Sequence, residues 1–158
     1  MLSPDLRKLL IAQIGNELAA HQLYLAIATY FERQSLDGWG KLFRQQSIEE
    51  AQHAQKIIDF LIDNDIDFDL PALKATSTRF DSPAAAARKA LESERTVAGQ
   101  FDRAASVAVA NGDHRGFQFL QWFIEEQVEE ESKLQHLVDL IESGINLFQA
   151  EAQLDTLE

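Results

Sequence analysis

The stretch IEEAQHAQK, residues 48–56, decides how this chain is read. It holds no Gly or Pro, and apolar residues flank it at helical spacing: Phe43 before it, Ile57 and Leu61 after it. At about 100° of turn per residue, Phe43, Ala54, Ile57 and Leu61 bracket Glu50 on one face. His53 follows three residues later, on the same side of the helix. A helix that aims a carboxylate and an imidazole into its own apolar stripe needs a reason, because a buried unpaired charge is costly.

The same pattern recurs in three other segments. A first helix is expected from Ser3 to about Gln34, with Ser3 as cap and Pro4 in the first turn. Its apolar positions Leu6, Leu10, Tyr24, Ala28 and Phe31 all lie within roughly 40° of Glu17. The second helix, which holds the opening stretch, runs from about Trp39 to Asp63. A third is expected from Ser82 to about Ala110, with Ala87, Ala98, Phe101 and Ala105 around Glu94. The fourth runs from about His114 to Ser143, with Phe119, Phe123, Leu134, Leu137 and Ile141 around Glu130 and Glu126 one turn earlier. The tail INLFQAEAQLDTLE supplies a short fifth helix.

The connections set the topology. SLDGWG and NGDH are short breaks, so helices one and two are antiparallel, and so are helices three and four. Residues 65–81 have no sustained period and contain Pro71. A connection that long inside a compact domain is expected to cross the full length of the bundle along its outside. The fold class is therefore all-α: a four-helix bundle with one long crossover between helices two and three, as a single domain over residues 1–158.

Composition narrows the function. The 158 residues suit one domain with a substantial core. A formal net charge of -12 argues against nucleic acid or an anionic membrane as partner and favours cations. The chain has no cysteine, which excludes disulfides, thiolate metal sites and cysteine nucleophiles. MLSPDLRKLL lacks the features of a signal peptide, and no apolar run is long enough to span a membrane, so a cytoplasmic location is expected.

A lone Glu on an apolar stripe usually sits at its edge and reaches for water. Four at mid-helix, on four helices, are expected to meet at one level of the bundle. Arg33, Arg44, Arg88 and Arg103 lie off the stripes or near helix ends, so no set of inward cations neutralises them. Metal is the natural counter-charge. Carboxylates with one imidazole and no thiolate suit Fe, Mn or Zn, and four carboxylates can neutralise two divalent ions with one or more bridging.

Glu17, Tyr24, EEAQH at 49–53, Glu94 and EEQVEEE at 125–131 resemble, in type and spacing, the motif of the prokaryotic non-haem ferritins. FLQWFIEEQ, through the start of the last motif, is also similar, and the resemblance extends over nearly the whole chain. It implies that Glu17, Glu50 and His53 hold one iron. It implies that Glu50, as bridge, holds a second with Glu94 and Glu130. Glu49, Glu126, Glu129 and Glu130 would form an adjacent third iron site. The implied activity is a ferroxidase, oxidising Fe(II) with dioxygen or hydrogen peroxide, and the implied assembly is a hollow shell of twenty-four subunits storing ferric mineral.

Val97 stands where a second Glu-x-x-His motif would place its histidine, and the one methionine is Met1, so the haem of the related bacterioferritins is not expected. Tyr24 reads either as a partner of the iron ligands, by hydrogen bond or as electron donor, or as an ordinary core tyrosine. His21 reads as a hydrogen-bonded core histidine and Trp122 as packing at a stripe edge. Glu49 and Glu129 have a surface reading beside the ligand one, while Glu125, Glu131, His114 and His136 point outward. Two rival functions remain open on the residues alone: another kind of di-iron enzyme, and a bundle that binds partners without metal chemistry.

Overall fold

The structure, a computed structural model, describes residues 2–155. Met1 and residues 156–158, the end of the expected fifth helix, lie outside the described residues. Four long helices carry the chain: α1 (Pro4–Glu32), α2 (Asp37–Asp63), α3 (Pro83–Ala110) and α4 (His114–Glu142). A short α5 (Leu147–Leu154) follows, and among the described residues there is no strand. Among the described residues no helix is long and apolar enough to cross a membrane.

Local chemistry explains most boundaries. Ser3 and Ser82 accept from the backbone N–H of Leu6 and Ala85, each with a proline at the start of its helix. Asp113 does the same for Gly116, and Asn146 for Phe148 and Gln149. α2 begins at Asp37, two residues before the expected start, because Leu36 already turns the chain without a side-chain cap. The tight turn before α4 places Gly112 at φ 62°, a left-handed conformation that glycine adopts without strain.

Residues 64–82 contain no helix and form the crossover. Ile66 and Phe68 are partly buried at one end of the bundle, and Phe80 meets Tyr30 edge-to-face at the other. Midway, Pro71 lies against α1 so closely that a Cβ on Gly15 would stand 2.8 Å from the Pro71 Cβ. Gly15 is what lets the strap lie flat on the helix.

The core is two apolar clusters rather than one. Leu6, Leu10, Ile14, Ile57, Leu61, Phe101 and Phe123 belong to the first. Tyr24, Phe31, Trp39, Phe43, Leu134 and Leu137 belong to the second. On every long helix the boundary between them falls at a glutamate: Glu17, Glu50, Glu94 and Glu130. α5 closes the second cluster through Ala150 and Leu154. It is tied to α2 by the Trp39 indole N–H, which donates to the Leu147 carbonyl at 2.9 Å, and by Glu151, which accepts from the Gly38 N–H.

Candidate metal centre

Helical period places one glutamate per helix at the mid-bundle level, and packing encloses them. Glu17, Glu50, Glu94 and Glu130 are exposed by 0, 1, 1 and 4%. None reaches for water at a stripe edge. His53, at 4%, is as buried as they are.

Three of these side chains converge. Glu17, Glu50 and His53 each offer a ligand atom, all within 4.8 Å of one another. His53 Nδ1 stands 3.3 Å from Glu50 Oε2 and 3.7 Å from Glu17 Oε2. Neither contact has hydrogen-bond geometry, and both His53 Nδ1 and Glu17 Oε2 are buried without a hydrogen-bond partner. Buried polar atoms are nearly always partnered, so two orphans facing each other mark a place where something else binds. A cation satisfies both.

Glu94 and Glu130 approach from α3 and α4 and complete the layer without joining that triad. Glu94 Oε1 accepts from the Tyr24 hydroxyl at 2.5 Å, and Oε2 accepts from the Gln127 amide at 2.9 Å. Tyr24 is thus in contact with the acid layer. Glu130 Oε2 accepts from the Gln46 amide at 2.7 Å, and the same nitrogen reaches Glu50 Oε1 at 3.2 Å. Gln13 donates to Glu17 Oε1 at 3.1 Å.

The electrostatics follow from crowding acids in a dry layer. Burial, reinforced by repulsion from Glu17, pushes Glu50 up to about 7 despite the opposing pull of His53. Burial and repulsion from Glu50 push Glu94 up to about 8, and burial with the charges of Glu94 and Glu50 does the same for Glu130. Burial would pull His53 down, but the adjacent Glu17 and Glu50 outweigh it and raise the imidazole to about 10. Burial, then the charges of Glu94 and Glu50, hold the Tyr24 phenol well above its ordinary range. Without metal the layer therefore holds protons tightly, and a bound cation would release them.

The remaining acidic candidates lie at the edge. Glu49 and Glu126 are half-buried and line an open cleft of about 470 Å³ together with His53, Lys56, Asp59 and Trp122. Glu129 is exposed and does not line it. Trp122, at the edge of its stripe, packs edge-to-face on His53 at 5.4 Å, and the Lys56 ammonium sits 3.6 Å over its ring. Glu125, His114 and His136 are exposed, while Glu131 is half-buried. His21 Nδ1 lies 2.8 Å from the Ser47 carbonyl oxygen and 2.7 Å from its hydroxyl, and that hydroxyl reaches the His21 carbonyl at 2.9 Å. His21 therefore fastens α1 to α2. Val97 is buried in an apolar cluster.

Sequence reasoning missed the glutamines and one lysine. Gln13, Gln46 and Gln127 are all buried, and each donates to a glutamate of the layer. Gln13 and Gln46 stand four residues before Glu17 and Glu50, which places each amide one turn away on the same face, a usable signal. Lys133, half-buried on α4, contacts Gln46 and carries the inward positive charge that no arginine supplies.

The family model of the ferritin-like domain matches residues 7–143. The ferritin BfrB of Mycolicibacterium smegmatis is 41% identical over 140 residues, 88% of this chain and 77% of that one. The bacterial non-heme ferritin of Campylobacter jejuni is 32% identical over 161 aligned positions, covering 99% of this chain and 96% of its own. Among solved structures, an open pore ferritin from the hyperthermophilic archaeon Archaeoglobus fulgidus superposes with a TM-score of 0.93 at 30% identity, covering 98% of this chain and 97% of that one.

Proposed function

The chain belongs to the ferritin family, of the bacterial non-haem type, and from that premise we propose that its mid-bundle acid layer is a di-iron ferroxidase centre. Iron storage and Fe(II) oxidation are the activities of the family, and iron is both substrate and cargo. The orphaned Glu17 Oε2 and His53 Nδ1 carry the proposal.

Glu17, Glu50 and His53 hold the first Fe(II). Glu94 and Glu130 hold the second, with Glu50 shared between the two positions. Hard anionic oxygens favour Fe(III) over Fe(II), so oxidation is coupled to tighter binding of its product. Dioxygen or hydrogen peroxide is the acceptor: two Fe(II) give up two electrons, and one dioxygen with two protons becomes hydrogen peroxide. The first Fe(II) displaces the proton that His53 holds against Glu17 and Glu50. Glu94 keeps its orientation through Tyr24 and Gln127, whose hydrogen bonds favour its charged form.

Glu49, Glu126, Glu129 and Glu130 form the third iron position. The cleft that Glu49 and Glu126 line opens beside His53, which supports it as a path for iron between the centre and the outside of the bundle. No haem is bound, since the single methionine is Met1. The protein is cytoplasmic, is one domain over residues 1–158, and assembles into a shell of twenty-four subunits around a ferric oxo-hydroxide core.

Sedimentation velocity before and after aerobic loading with excess Fe(II) tests the reading. Storage predicts a large particle that gains mass without gaining diameter. A monomer or dimer that takes about two irons per chain and stops would point to another di-iron enzyme and end the storage claim.

A further inference from the structure

Gln46 occupies a position in the acid layer that no other residue shares. Its side chain is 1% exposed and lies between α2 and α4. Nε2 donates to Glu130 Oε2 at 2.7 Å and to Glu50 Oε1 at 3.2 Å, and Oε1 faces Lys133 Nζ at 3.4 Å. A carboxamide nitrogen has two protons, and here they serve two carboxylates from different helices. Among the described residues, Gln46 is the sole side-chain hydrogen-bond donor to Glu130. Glu17 has Gln13, and Glu94 has Tyr24 and Gln127.

The consequence falls on Glu50. With Oε1 engaged by Gln46, the other oxygen, Oε2, faces His53 at 3.3 Å. The two oxygens of one carboxylate are thereby divided between the two sides of the layer. Glu130 is fastened by the shorter of the two contacts that the Gln46 amide makes. Lys133 reinforces the direction in which the amide points. An ammonium only donates, so the Gln46 oxygen turns to it and the NH₂ turns to the carboxylates.

We infer that Gln46, oriented by Lys133, is a positioning residue that splits the Glu50 carboxylate between two metal positions and holds Glu130 at the second. The inference rests on the two-metal reading above. Gln46 is not a ligand; it acts through Glu50 and Glu130. Residues that orient metal ligands typically change metal affinity about 10- to 100-fold when removed.

Titration of the assembled, metal-free protein with Co(II) tests it, because visible absorption reports the ligand set directly. The wild-type chain is expected to bind at least two Co(II), at the first and second positions. Gln46→Leu should keep the first with its spectrum and affinity unchanged and weaken the second by about 10- to 100-fold. Lys133→Met should weaken the second by less. In a Glu130→Ala background, Gln46→Leu should weaken the second position by less than it does in the wild-type chain, because only its hold on Glu50 is then left to lose, whereas a general packing defect would cost the same in both backgrounds. Two Co(II) bound by Gln46→Leu with wild-type affinity would overturn the inference. Should Gln46→Leu fail to assemble, Lys133→Met decides alone: a weakened second position supports the inference, and wild-type binding overturns it. A wild-type protein that binds only one Co(II) sinks the two-metal reading instead.

Discussion

The His53 imidazole stands 3.3 Å from Glu50, one turn earlier on the same helix, and makes no hydrogen bond to it. With His53 Nδ1 and the nearby Glu17 Oε2 both lacking a hydrogen-bond partner, the three side chains are poised for a cation between them. Replacing Glu50 or His53 removes a ligand of the first iron position. Glu50→Ala and His53→Ala should each lower the initial rate of aerobic Fe(II) oxidation by about 100-fold or more, since even loss of an orienting neighbour reaches that range. Stopped-flow absorbance of the ferric product measures it; wild-type rates in Glu50→Ala would falsify the assignment.

The two iron positions should be separable by mutation. Glu94 and Glu130 do not join the cluster of Glu17, Glu50 and His53. Glu94→Ala should therefore weaken the second metal far more than the first, and Glu17→Ala should do the reverse. Calorimetric titration with Zn(II) reads both. Equal loss of both metals in either variant would count against the division.

Metal-free protein should lose stability as pH rises. The folded values of Glu50, Glu94 and Glu130 are about 7, 8 and 8, against an ordinary 4.5. That of His53 is about 10, against 6.5. All four bind protons more tightly when folded, so their contribution is fully present below the ordinary values and is lost on climbing through the folded ones. The carboxylate share disappears between about pH 4.5 and 8, and the histidine share between about pH 6.5 and 10. Metal replaces those protons, so loading with Zn(II) should abolish the decline. Thermal unfolding of metal-free and loaded protein across pH 5–9 checks this, and a metal-free Tm that holds level or rises would refute it.

Tyr24→Phe isolates one hydrogen bond. The hydroxyl donates to Glu94 at 2.5 Å and lowers the Glu94 pKa. Without it, Glu94 should hold its proton to higher pH, and the second metal should bind only at correspondingly higher pH. Co(II) binding curves across the pH range read the shift. An unmoved curve would leave Tyr24 as a core tyrosine with no bearing on the site.

The crossover offers a test of the fold. A Cβ on Gly15 would lie 2.8 Å from the Pro71 Cβ, and a proline ring cannot swing aside. Gly15→Ala gains about 1 kcal/mol of helix propensity but meets an overpacking cost of about 1–3 kcal/mol. A Tm lower by roughly 2–4 °C is expected for each net kcal/mol in a chain this size. A raised Tm would mean that the strap does not press on α1.

Much of this was legible because helical period is local. The positions of Leu6, Leu10, Tyr24, Ala28 and Phe31 around Glu17 depend only on the turn per residue. The short links and the long unpatterned stretch before Ser82 indicated the direction of each helix. Glu50 and His53 share a face by the same geometry. Gln46 was legible only in part: its place one turn before Glu50 is local geometry, but its reach to α4 is not. Its partners include Glu130 and Lys133, on another helix. Trp122 gave no hint of His53 for the same reason.

The sequence by itself determined five helices, their order and direction, and one acidic residue aimed inward near the middle of each long helix. Tertiary structure decided which of those acids meet. Glu17, Glu50 and His53 converge closely, while Glu94 and Glu130 are held one step away by Tyr24, Gln127 and Gln46. The reason is physical: turn per residue fixes which face a side chain occupies, but the axial register of one helix against another is set by how the two apolar clusters pack and where the crossover lies. A small axial shift would leave every face unchanged and move the acids out of reach of one another.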